Sequence, residues 1–230
     1  DASGKKVDRT TEEAAITNST SVMLASVAGD TYAVGYVSLG SLNDSVKALK
    51  IDGVEASVAN IKNGSYKISR PFNIAVRDNL SVQAQDFVNF IMSTDGQKIV
   101  EANKYIAIDA GSFTSTKASG KIVVAGSSSV SPVMEKLIEA YKSVNPNAKV
   151  ELQTSDSTTG VANAAAGTCD IGMASRSLKE TEKAKGLREV TIAMDGIAVV
   201  VNRANPMDNA KVETVRNIYM GKIQKWSEAE

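Results

Sequence analysis

The sequence predicts an α/β fold, and three observations carry that prediction. From Gly120 onward short apolar runs alternate with stretches of helical periodicity, the pattern of strands joined by helices. Several of those runs end in Ser/Thr-rich turns rather than in hairpin dipeptides, so the chain leaves a strand and enters a helix. With 230 residues, of which 43% are hydrophobic and 23% charged, the chain has enough apolar surface for one large or two modest globular domains.

Taken in order, Thr10 to Val27 reads as a helix, with Thr11 ahead of Glu12 and Glu13 as its start signal. The two glutamates are adjacent and cannot face each other on a helix, so they form a first-turn feature and not an acid–base pair. Tyr32 to Leu39 and Val46 to Ile51 read as strands across a Gly/Ser/Asn turn. Tyr66 to Val76 is extended but contains Pro71, which cannot donate to a sheet ladder. Ser81 to about Asn103 reads as one helix, with Phe87, Phe90, Ile91, Ile99 and Val100 along one side. Asp109 to Gly120 is rich in Ser, Thr and Gly without periodicity and reads as a flexible connector. After it come a strand at Ile122 to Val124, a helix from Ser131 to Val144, a strand at Val150 to Gln153 and a short helix Val161 to Ala166 stopped by Gly167. Asp170 to Met173 and Ile197 to Val201 read as further strands, giving a largely parallel sheet. Ile218, Tyr219 and Trp226 are expected to pack one helix face.

Charge and composition remove whole classes of function. Lys plus Arg and Asp plus Glu are 26 each, so no net field draws nucleic acid or an anionic membrane surface. There is no histidine, and Cys169 is the one cysteine. An intrachain disulfide, a multi-cysteine metal site and Ser-His catalysis in their usual forms are excluded, and no cofactor is expected. Cys169, at the entry to a strand, is expected to serve as a small buried hydrophobe. No run of about 18 apolar residues is long enough to span a bilayer. No basic-then-apolar start marks a signal peptide, which reads as a mature, cytosolic or recombinant chain.

Three loops remain as candidates for chemistry: Gly126 to Ser129, Ser155 to Gly160 and Ala174 to Arg176. Each lies at a strand edge or a helix start. In open α/β sheets ligands gather at the carboxyl ends of the strands. A helix start there offers unpaired N–H groups and about half a positive charge, which suits a small oxyanion.

The runs KIVVAGSSSVSPVMEKLIEAYK, SDSTTGVANAAAGTCDIGMASRSL, DGIAVVVN and IYMGKIQKW resemble the beginning of phosphate-binding proteins of the ABC phosphate importer, the PstS family. NSTSVMLASVAGDTYAVGYVSLG, ISRPFNIAV and FVNFIMSTDGQKIVEANKYIAI resemble the ending of the same proteins. The order is inverted, with the stretch 109–120 joining the family's end to its beginning, as in a natural or engineered circular permutant. The family's G-S-G-T-R loop is not found in these residues, so the second lobe is expected to be incomplete.

The resemblance implies a two-lobed, type II periplasmic-binding-protein-like fold that closes on its ligand by a hinge. Residues 71–201 would form the first lobe, and 1–70 with 202–230 the second. It implies inorganic phosphate as ligand, held by Ser128 and Ser129 of the first loop and Ser157 of the second, with Thr158 as a weaker candidate. Ser175 in the third loop fills a position where some members carry an aspartate that accepts the phosphate proton, and Arg176 follows it. The acceptor would then come from Asp156 or Asp195. The implied partner is an ABC permease, at the periplasm or cell surface, with no nucleic acid and no membrane span, and the incomplete lobe allows domain-swapped self-association. Two other classes stay open: a permuted scaffold or sensor engineered from such a protein, and an enzyme on phosphate esters, for which no activated nucleophile is visible.

Overall fold

The structure, a computed structural model, describes residues 8–229; residues 1–7 and 230, part of the expected second lobe, lie outside the described residues. The strands are β1 (Val34–Ser38), β2 (Lys47–Ala48), β3 (Lys50–Ile51), β4 (Ser69–Arg77), β5 (Gly120–Ser127), β6 (Ala148–Ser155), β7 (Ile171–Ala174), β8 (Leu187–Val201) and β9 (Asn209–Ala210). Seven of them form one sheet in the order β1-β8-β4-β7-β5-β6, with β2 also on β8, and β3 pairs with β9 in a small second sheet.

Only part of the large sheet is parallel, which corrects the largely parallel expectation. β5 runs parallel to β6 and β7, where strand–helix units follow one another. β4 arrives from the other side of the connector and is inserted between β7 and β8 in the opposite direction. Pro71 is tolerated because β7 begins its pairing with β4 only at Asn73, just past a register shift between Phe72 and Asn73.

The helices are α1 (Thr20–Gly29), α2 (Val58–Lys62), α3 (Val82–Ile91), α4 (Thr94–Ala102), α5 (Ser131–Val144), α6 (Ser157–Ala166), α7 (Glu180–Lys183) and α8 (Val212–Tyr219). The first helix starts ten residues later than its sequence pattern suggests. Ile16 is 91% exposed, so the earlier stretch has no face to bury, and the Ser19 hydroxyl accepts the Val22 N–H as the true cap. The long helix expected over Ser81 to Asn103 is two, because the Ser93 hydroxyl accepts the Gly96 N–H and restarts the helix after a turn at Met92. Gly167 does end α6, at φ 75°, where a side chain would be strained.

The stretch 109–120 is pinned rather than free. The buried Asp86 carboxylate accepts from the Ser115 hydroxyl (2.8 Å) and the Thr116 N–H (2.7 Å), and also from the Tyr141 hydroxyl (2.7 Å). Asn145 donates to Ala118 O, and the Phe113 ring meets Phe90 edge-on. Low periodicity here marks a strap whose polar groups are paired by side chains, not a flexible linker.

Apolar burial falls into two main clusters. One gathers Phe72, Phe87, Phe90, Leu137, Tyr141 and Ile192, and α6 closes over the same sheet through Val161 and Ala164, with Cys169 beside them. The other gathers Leu24, Val37, Leu49, Tyr66 and Ala198 to Val201. The strand β8 therefore passes from one cluster to the other between Ala193 and Ala198. Cys169 is buried, and burial pushes its thiol up to about 11, which removes it from nucleophilic work. Trp226 sits in a 3-10 turn after α8, where its indole N–H donates to Tyr32 O.

Candidate anion-binding site

The carboxyl ends of β7, β5 and β6 lie side by side, and the three Ser/Thr loops leave from them. Close packing makes this possible. A side chain on Gly160 would come within 2.6 Å of the Gly126 Cα and 2.8 Å of Ala125 O, so α6 can lie directly on β5 only as glycine.

In the first loop Ser128 and Ser129 form a half-buried turn ahead of α5. The Ser128 N–H is already given to Ser155 O (2.9 Å), which leaves its hydroxyl as the available group. The start of α5 has no side-chain cap: Val130 occupies the cap position and Pro132 has no N–H to satisfy. In the second loop the Asp156 carboxylate caps α6, accepting from the Thr158 and Thr159 N–H groups and from the Thr159 hydroxyl. Those bonds hold Asp156 below the usual carboxylate range, led by the Thr159 hydroxyl. Asp156 therefore takes up the Thr158 and Thr159 amides at the start of α6 and is spent as a cap instead of awaiting a phosphate proton. Thr158 is exposed and its N–H is taken.

Ser157 and Ser175 meet. The Ser175 N–H donates to Ser157 Oγ (3.1 Å), and their hydroxyls are 3.4 Å apart. The third loop is held in place by Asn73, which donates to Arg176 O, and by Glu189, which accepts the Leu178 N–H.

Arg176 stays beside the second loop, where its Nη2 donates to the Thr158 hydroxyl (3.3 Å), but its charge is committed elsewhere. Its guanidinium grips Glu182 through two bonds of 2.8 Å, and Glu182 is drawn down to about 2, chiefly by that guanidinium. Sequence reading placed Arg176 at the ligand by adjacency to Ser175; the fork geometry of the pair commits it to the protein instead.

Asp195 is fully buried, which removes it from direct contact with a ligand in the cleft. Its Oδ1 accepts from the Ser38 hydroxyl (2.6 Å) and its Oδ2 from Arg70 Nε (3.1 Å). Burial raises its carboxyl to about 6 despite the opposing pull of Arg70 and Ser38. Arg70 in turn donates through Nη1 to Ser175 Oγ (3.4 Å). A continuous chain of polar groups thus runs from Ser157 through Ser175, Arg70 and Asp195 to Ser38, across β7, β4, β8 and β1. Sequence reading missed Arg70 because its partner lies 125 residues away.

Opposite the first loop stands the start of α1. An open cleft of about 510 Å³ separates Asn18, Ser19, Thr20 and Ser21 from Ser128, Ser131 and Thr154, and the Thr20 hydroxyl reaches Ser128 O at 3.5 Å. Hydroxyls face this space from both sides. Among the described residues no group of three or more His, Cys, Asp or Glu could hold a metal ion.

Comparison with known proteins places this geometry. Residues 111–230 match the family model described as a PBP superfamily domain. "Phosphate-binding protein PstS 2" of Streptococcus agalactiae serotype V is 54% identical over 227 residues, covering 98% of this chain and 78% of the relative. The protein of the same name in Streptococcus pneumoniae serotype 4 is 45% identical over 224 residues, covering 96% and 77%. A crystal structure of a phosphate ABC transporter, phosphate-binding protein from Streptococcus pneumoniae TIGR4 superposes with a TM-score of 0.76 at 44% identity, over 98% of this chain and 88% of that one.

Proposed function

The chain belongs to the PstS family of phosphate-binding proteins, with the type II periplasmic-binding-protein-like fold, and on that premise we propose that it captures inorganic phosphate between its two halves. The observation that carries the reading is the convergence of Ser128, Ser157 and Ser175 on neighbouring strand ends, with Ser157 and Ser175 in direct contact. Ser129 and the uncapped start of α5 add donors, while Asp156, Asp195, Thr158 and Arg176 serve the frame around them. The halves divide where β8, and the chain between Ile68 and Phe72 at the start of β4, pass from one apolar cluster to the other, and closure turns about those crossings.

In this reading the chain is a binder and not an enzyme, works outside the cytoplasm and hands phosphate to an ABC permease. Among the described residues no helix is long and apolar enough to cross a membrane. The matches to the streptococcal relatives cover 98% and 96% of the chain, which supports a natural arrangement over an engineered one.

Titration calorimetry with phosphate tests the pocket. Ser157→Ala and Ser128→Ala should each weaken binding by about 1–3 kcal/mol, the scale of hydrogen bonds to a charged partner. Unchanged affinity in both variants would remove the pocket from these loops.

A further inference from the structure

Hydroxyls and amides hold an anion by dipoles, and a cation beside them would add charge-assisted hydrogen bonds of about twice their strength. Arg176, the cation that sequence adjacency suggests, is bound in a fork to Glu182. Arg70 is differently placed. Its Nε is fixed by Asp195, its Nη1 touches Ser175 Oγ, its Cζ lies over the Phe72 ring at 5.6 Å from the centroid, and Nη2 has no hydrogen-bond partner among the described residues. The side chain is 17% exposed, so the guanidinium is held rigidly by protein while retaining an outlet to solvent.

We propose that Arg70 is a cationic ligand of the phosphate, presented beside Ser157 and Ser175 by a buried carboxylate that fixes its orientation; this rests on the phosphate-binding reading above. A guanidinium presents several donors in one plane, so it can keep Asp195 on one edge and take two phosphate oxygens on another. The other oxygen of the Asp195 carboxylate accepts from the Ser38 hydroxyl of β1, so the group that orients Arg70 is itself anchored from a second strand.

The test begins with the unaltered chain. If it binds no phosphate by calorimetry, the proposed function falls and the role of Arg70 falls with it. If it binds, Arg70→Gln should raise the Kd by roughly 30-fold or more, the range of a lost charge-assisted hydrogen bond. Millimolar methylguanidinium should restore part of the affinity of Arg70→Ala. A Kd for Arg70→Gln within threefold of the parent overturns this inference alone. Should the variants lose their cooperative melt, the unaltered protein gives the reading. Phosphate should protect Arg70 from phenylglyoxal, mapped by peptide mass, and leave the exposed Arg203 reactive; equal labelling of Arg70 with and without phosphate overturns the role.

Discussion

At the residue scale, the groups around the cleft divide by what already occupies their lone pairs and protons. Asp156, Arg176 and Asp195 each look like ligands in the string of letters, and each is engaged by the protein: a helix start, a glutamate, an arginine and a serine. Glu182 makes this testable. Its carboxyl is lowered from 4.5 to about 2, so the folded state binds its proton less readily than the unfolded chain. The stability from this pair is fully present above about pH 4.5 and is lost as pH falls toward about 2. Urea midpoints measured across that window should fall less steeply in Glu182→Gln than in the parent; parallel curves would show that the pair carries no such linkage.

At the element scale, the contact between α6 and β5 depends on the absence of two side chains. Gly160→Ala would set a methyl 2.6 Å from the Gly126 Cα, against backbone that cannot rotate away. The expected cost is about 1–3 kcal/mol, seen as a lower melting temperature, with weaker phosphate binding as Ser157 shifts with its helix. An unchanged melt would show that α6 lifts without strain. Elements with a strong period or a stop signal were legible in the letters: α5, α6 with its Gly167 end, and the apolar end of β8. Those decided by distant partners were not. The break at Ser93 looks like continuous helix until its cap is seen, and the strap at 109–120 looks loose because its order comes from Asp86 and Asn145. The serines of the site could be read because each follows a strand, whereas Arg70 sits inside a strand whose neighbour β8 is remote in sequence.

At the scale of the whole molecule, β8 has a role that neither half could supply alone. Its 15 residues contribute Ile192 and Ala193 to one apolar cluster and Ala198 to Val201 to the other, with β1, β2 and β4 hydrogen-bonded along it. Melting either end strips partners from a strand that the other end still requires. Heat should therefore unfold the chain in one calorimetric peak, with van't Hoff and calorimetric enthalpies in agreement. Two resolved peaks would mean that the halves melt as separate units and that the shared strand transmits no cooperativity between them.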